Sequence, residues 1–228
     1  MSISLSARPY DFSLDPRHAA FVIIDMQRDF LEIGGFGSAL GNDVTRLRPA
    51  IAPIADLLAA CRRHDVLVIH TREGHRQDLS DLNAAKYRRG RSEVRIGDAG
   101  PMGRILVRGA AGHEIIPELA PVPGEPVIDK PGKGAFYATD LETILRKRGI
   151  TQLILAGVTT EVCVHTTLRE ANDRGFDCLL LEDGTASYFP EFHRTALDMA
   201  CAQDGIFGWV APSRNVIAAI ATSRRANS

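Results

Sequence analysis

The sequence predicts a single-domain α/β fold, a three-layer α/β/α sandwich around a mostly parallel central sheet, and three observations predict it. Continuous apolar runs of strand length recur along the chain at Ala19–Ile24, Val66–His70, Pro126–Asp129, Leu153–Ala156 and Cys178–Leu181. These runs are uninterrupted rather than alternating, as strands buried on both faces require. Between several of them lie longer segments with apolar residues at helical spacing, long enough for right-handed crossovers.

Residues 1–18 are polar and contain proline, and read as an N-terminal arm before a domain spanning 19–228. The first strand, Ala19–Ile24, ends on Asp25, and Asp29, Phe30, Gly34 and Gly35 read as a loop. Leu47, Ile51, Ile54, Leu57, Leu58 and Cys61 recur at helical spacing, so a helix is predicted from Asp43 to Arg63. Residues 71–112 are the least regular part, rich in glycine. Their basic run (Lys86, Tyr87, Arg88, Arg89, Arg91, Arg95) reads as a solvated surface. Ile105–Val107 reads as a short strand. Thr139 or Asp140 can cap a helix through Lys147 that Gly149 stops. Further helices are predicted from Glu161, over Pro190–Ala202 and over Ser213–Ala221, with a last strand at Ile206–Val210.

Composition excludes several functions. The 228 residues are 45% hydrophobic and 24% charged, ordinary for a globular protein large enough to bury a core. A net charge of −1 gives no field for nucleic acid or an anionic membrane. Cys61, Cys163, Cys178 and Cys201 form no CxxC pair, which fits reduced thiols in a cytoplasm. The N-terminus carries no signal-peptide pattern and no apolar run is of membrane-spanning length, so a cytoplasmic protein is expected.

Chemistry is suggested at three strand ends. Cys163 lies on the first turn of a helix that follows the Leu153–Ala156 strand directly. Free N–H groups and the positive dipole end favour a thiolate there, so a lowered thiol pKa is expected. In a parallel sheet, ligands bind beyond the carboxyl ends of the strands. Asp25, Lys130 and Cys163 would therefore converge: a carboxylate to take the thiol proton, and an ammonium to keep that carboxylate ionised. Singly, each has a plainer explanation as turn residue, surface lysine or small buried hydrophobe.

Taken together, these residues resemble the isochorismatase-like cysteine hydrolases, a family that includes nicotinamidases and several ureide hydrolases. Ile23-Ile24-Asp25-Met26-Gln27 with Asp29-Phe30, Asp129-Lys130-Pro131-Gly132-Lys133-Gly134-Ala135-Phe136, and Gly157-Val158-Thr159-Thr160-Glu161-Val162-Cys163-Val164 carry the likeness, which covers about residues 19–215. The resemblance implies a catalytic triad of Asp25, Lys130 and Cys163, with Lys130 chosen over Lys133 because the family's lysine directly follows the strand. It also implies a cis Val158–Thr159 peptide and an oxyanion hole from the Thr159 and Cys163 amides.

Similarity is greater still to biuret hydrolases and their triuret-cleaving relatives, through His70–Arg76, Asp98 with Gly100-Pro101, Gly103–Leu106, Arg108-Gly109, Ile116–Leu119, Arg169–Gly175 and Leu180–Asp183. That likeness implies hydrolysis of a small neutral ureide through a thioester-type intermediate, with Phe30 walling the pocket and Gln203 holding the ureido group. Glu73 and Tyr188 are further candidates for substrate contact. Glu73-Gly74-His75 keeps the spacing of a nicotinamidase metal pair, but Gln77–Lys86 brings no second histidine, so neither a metal nor another cofactor is expected. The alternative is hydrolysis of ureidoacrylate or another N-carbamoyl compound, for which an arginine such as Arg72 would have to meet the substrate carboxylate. A non-catalytic binding module on the same fold is the other class, and the complete triad argues against it. The family commonly forms homo-oligomers, so a dimer or tetramer is expected.

Overall fold

In the computed structural model of the chain, residues 2–89 and 93–223 are described; Arg91 of the basic run lies outside them. Six strands form one wholly parallel sheet: β1 (Ala19–Ile24), β2 (Leu67–Glu73), β3 (Val127–Lys130), β4 (Gln152–Val158), β5 (Asp177–Ala186) and β6 (Trp209–Ala211). Their order is β6-β5-β4-β1-β2-β3, the doubly wound arrangement. The chain leaves β1 toward one edge and returns past it to reach β4 and the other edge. The carboxyl ends of β1 and β4 therefore flank the point where the order reverses, the position at which doubly wound sheets take their ligands.

The sheet separates two apolar layers, and period-two alternation assigns each strand residue to one of them. Phe21, Ile23, Ile154, Ala156, Leu179 and Leu181 pack with helices α1 (Ile51–Arg63) and α5 (Ser213–Ser223). Ala20, Val22, Ile24, Leu153, Leu155, Cys178 and Leu180 pack with α2 (Leu141–Lys147), α3 (His165–Asp173) and α4 (Pro190–Gly205). Phe21 is fully buried, and such a side chain contributes roughly 2–3 kcal/mol by leaving water.

Several expected boundaries shift for physical reasons. The helix expected from Asp43 starts as a 3-10 turn, Val44–Ala50, in which the Asp43 side chain accepts from the Thr45 N–H at 3.1 Å. Pro49 lies inside that turn and supplies no N–H, so the regular α-helix begins only at Ile51. Helical geometry in α4 breaks at Ala202 (φ −56°, ψ 152°), where the sequence placed its end. Residues 2–18 include a short antiparallel hairpin, Ile3–Leu5 with Phe12–Leu14, whose Leu5, Phe12 and Leu14 are buried in the core. Ile105–Val107 is not a strand: Leu106 has φ 49° and only Val107 bridges, to His75. Its side chains are nevertheless buried; Ile96, Ile105 and Leu106 form a small core with Phe30 and Phe36 that seats the long segment between β2 and β3. No helix among the described residues is long and apolar enough to cross a membrane.

Strand β2 is longer than its apolar run. The sequence reading stopped at His70, whereas pairing continues through Thr71, Arg72 and Glu73, with Glu73 opposite Lys130. Gln27 explains the extension. Its side-chain oxygen accepts from the Glu73 N–H at 2.7 Å, and its amide donates to the Glu73 and His113 carbonyls at 3.0 Å each. A fully buried glutamine thereby ties β2 to the loop after β1.

At the reversal point Gly157 has φ +114°, and a Cβ there would collide with the Ile24 carbonyl. Glycine alone lets the ends of β1 and β4 approach. Gly157→Ala is therefore expected to cost about 2–4 kcal/mol in urea denaturation and to remove activity with it. A stable, active variant would contradict this account of the strand crossing.

Candidate active site

Each strand end delivers one group. Asp25, directly after β1, has φ 52° and is fully buried. Its Oδ1 accepts from Thr71 Oγ1 at 2.6 Å, and its Oδ2 lies 2.7 Å from Lys130 Nζ. Lys130, the last residue of β3 and also fully buried, donates to the Gly132 and Lys133 carbonyls at 3.0 and 2.9 Å. Burial alone would lower its pKa, but Asp25, the Cys163 sulfur and Glu73 outweigh that and hold it raised. Cys163 lies in a single wide π-helical turn, Thr160–Val164, that runs into α3. The Val158–Thr159 peptide before that turn is cis. The structure thus brings Asp25, Lys130 and Cys163 into one buried cluster, and it is Lys130 rather than Lys133 that pairs with Asp25.

Glu73 completes the cluster from the end of β2. It is fully buried; Oε1 pairs with Lys86 Nζ at 2.7 Å and Lys133 Nζ at 2.8 Å, and Oε2 accepts from the Cys163 thiol at 3.3 Å. Burial would raise its pKa, but Lys130, Lys133 and Lys86 together hold it well below the usual carboxylate range. Three ammonium groups face two carboxylates here, so one positive charge is in excess.

The thiol corrects the sequence expectation. Burial pushes the Cys163 pKa well above its ordinary value; Lys130 and Lys133 pull it down, while Asp25 and Glu73 push it up. The helix-end argument for a lowered pKa loses to desolvation and two carboxylates. At rest the sulfur keeps its proton, so a base must take it.

Lys86 departs from the solvated basic surface expected of its run: its side chain is 14% exposed and bridges Glu73, His75 Nε2 at 2.9 Å and the Pro131 carbonyl at 2.8 Å. His75 Nδ1 in turn faces Asp81 Oδ1 at 3.1 Å. This bears on metal binding. Asp25, Glu73 and Cys163 present ligand atoms within 4.8 Å of one another, the nearest the described residues come to a metal cluster. Ammonium groups already engage both carboxylates and the free nitrogen of His75, so these donors fit a divalent ion poorly.

The remaining candidates divide. Tyr188 donates to the Phe30 carbonyl at 2.9 Å, and its pKa is raised by burial first and then by the nearby Cys163 sulfur, which places the tyrosine close to the cluster. Arg72 pairs with Asp129 at 2.8 Å and Glu114 at 2.9 Å and is engaged. Gln203 is exposed, with φ 52°, in the non-helical last turn of α4, just before β6. A connection entering a parallel strand lies at the amino end of the sheet, opposite Cys163. Within one chain, the expectation that Gln203 holds substrate is not met. A groove of about 500 Å³ between α3 and α4 is lined by Glu161, His165, Phe192 and Met199 rather than by these groups.

Residues 19–213 match the isochorismatase domain. The chain belongs to the isochorismatase family. It is 33% identical over 218 residues to the ureidoacrylate amidohydrolase RutB of Enterobacter sp. (strain 638), covering 91% of each chain. Among solved structures, a cysteine hydrolase from Pseudomonas syringae pv. phaseolicola 1448A superposes with a TM-score of 0.78 at 29% identity, over 98% of this chain and 100% of that one. An isochorismatase family protein from Desulfovibrio vulgaris subsp. vulgaris str. Hildenborough gives 0.73 at 26%, over 90% and 99%.

Two consequences are measurable. Replacing Lys130 by Met leaves the Asp25 carboxylate buried and unpaired, and is expected to cost about 3–5 kcal/mol in chemical denaturation; a cost near zero would contradict the pairing. Burial lowers the pKa of His70, His75, His113, His165 and His193, in His113 to about 4. Unfolded histidines bind protons near pH 6.5 and the folded ones do not, so stability is complete above that pH. It is expected to fall as the pH drops from about 6.5 toward 4, in urea titrations across the range.

Proposed function

We propose that this chain is a cysteine-dependent amidohydrolase that cleaves a C–N bond of a small N-carbamoyl or ureido acid, of the ureidoacrylate kind. The observation that carries the reading is the excess ammonium charge around a protonated thiol. Lys133, 44% exposed and the outermost of the three, is assigned to the substrate carboxylate. The ureidoacrylate amidohydrolase at 33% identity supports the same substrate class. Asp25, paired with Lys130 at 2.7 Å, takes the thiol proton. The thiolate attacks the carbamoyl carbon, and the Thr159 and Cys163 amides receive the oxyanion, each such donor contributing about 3–4 kcal/mol in comparable sites. Asp25 returns its proton to the departing nitrogen, then activates the water that hydrolyses the thioester-type adduct.

A second reading, hydrolysis of neutral biuret or triuret, is favoured by one observation: Arg72 is held by Asp129 and Glu114, so the arginine that an acid substrate would call for is not free. Ammonia release from ureidoacrylate, N-carbamoylsarcosine, biuret, triuret and nicotinamide separates the two. Turnover of the anionic carbamoyl compounds at least about tenfold above biuret and triuret is expected, abolished in Cys163→Ala and insensitive to chelators. The reverse order would favour the neutral ureides, and hydrolysis surviving Cys163→Ala would defeat the nucleophile assignment.

A further inference from the structure

Glu73 has no task in the sequence of steps above, yet it is the residue that touches the sulfur. Its two oxygens are used differently. Oε1 is saturated by Lys86 and Lys133, whereas Oε2 faces the Cys163 thiol at 3.3 Å and has Lys130 Nζ no nearer than 3.9 Å. Gln27 fixes the backbone of Glu73 from both sides, so the carboxylate is held in place rather than merely present. The base Asp25 is occupied meanwhile: Thr71 on one oxygen and Lys130 on the other.

We infer that Glu73 is a cap on the nucleophile: its Oε2 holds the thiol proton of the free enzyme, and the same oxygen is the acceptor subsite for the N–H donors of a primary carbamoyl group. The subsite half of this rests on the functional reading above. A thiol is a weak donor and an amide a strong one, so a carbamoyl NH₂ that reaches Oε2 displaces the S–H. The released proton then passes from sulfur to Asp25, whose nearest oxygen lies within 4.8 Å of it. One S–H bond is lost and one O–H bond forms, with no other reactant required. Activation of the sulfur is thereby tied to arrival of the right substrate. An ester or a tertiary amide, lacking N–H, leaves the cap in place.

Charged and titratable groups around the sulfur come from every neighbouring element: Asp25 after β1, Glu73 on β2, Lys130 and Lys133 at and after β3, Lys86 from a short helix, Ala84–Arg88, in the segment between β2 and β3, Tyr188 after β5, and His75 behind Lys86. Among them Glu73 and Lys133 act on the thiol with opposite sign. Two substitutions should therefore move it in opposite directions, a signature that general loosening does not produce.

The test needs no turnover. The pH dependence of Cys163 modification by methyl methanethiosulfonate is followed by peptide mass spectrometry, with the half-buried Cys201 as internal reference and melting temperature as a fold check. In Glu73→Gln the glutamine oxygen goes to the lysines and its NH₂ turns to the sulfur, so the midpoint for Cys163 is expected to fall by about one pH unit or more, roughly tenfold faster modification at neutral pH. In Lys133→Gln it is expected to rise. Acetamide, but not N,N-dimethylacetamide, is expected to protect Cys163 in the parent protein and to lose that advantage in Glu73→Gln. A midpoint in folded Glu73→Gln that is unchanged or raised overturns the cap. So does one in Lys133→Gln that is unchanged or lowered, which decides the matter if Glu73→Gln proves unstable. Acetamide protection that survives Glu73→Gln overturns the subsite. Midpoint shifts in a protein that turns over no ureide would remove the functional reading and leave the thiol contact standing.

Discussion

A buried ion pair sets the terms for the rest of the structure. Asp25 and Lys130 meet at 2.7 Å with neither side chain exposed, and a lone charge in that position would be untenable. Their pairing fixes how far the ends of β1 and β3 extend past β2, which lies between them. Thr71 and Glu73, at the end of β2, are drawn into the same polar knot, and this is why a strand that begins as an apolar run continues through four polar residues. The Cys163 sulfur then enters from the far side of the reversal point, where Gly157 permits the approach.

How legible this was depended on how local the cause is. Parallel strands buried on both faces are written as short apolar runs, so β1, β2, β3, β4 and β5 are all legible, although β2 continues three residues and β5 five residues beyond the ends of their runs. The meeting of Asp25, Lys130 and Cys163 followed from one topological rule about strand ends. Glu73 was less legible: it was named as a possible substrate contact, but nothing local says that Gln27, forty-six residues earlier, would pull it into register beside Lys130. Lys86 had no signal at all. Inside a run of arginines it looks like surface, and only the fold of the loop after β2 turns its ammonium inward.

Two expectations failed for instructive reasons. A helix start lowers a cysteine pKa only if the thiolate stays near water or near cations alone; here burial and two carboxylates win. Gln203 matched a pattern in sequence, but a turn that enters β6 lies at the wrong end of the sheet in the same chain. Pattern gave the residue type, and topology decided where it could be. Substrate charge is governed by the same electrostatics. Two carboxylates among three ammonium groups leave the cluster with positive charge in excess, and the thiol among them keeps its proton at rest.

The central claim is that the Cys163 sulfur bonds covalently to the carbamoyl carbon. Hydroxylamine partitioning tests it most directly. If an acyl group rests on sulfur, hydroxylamine competes with water for it, and a hydroxyurea appears in proportion to its concentration while substrate loss does not slow. Substrate consumed with no hydroxyurea at any hydroxylamine concentration would mean that water attacks the carbonyl itself, and the account of this cluster as a nucleophile with its base would be wrong.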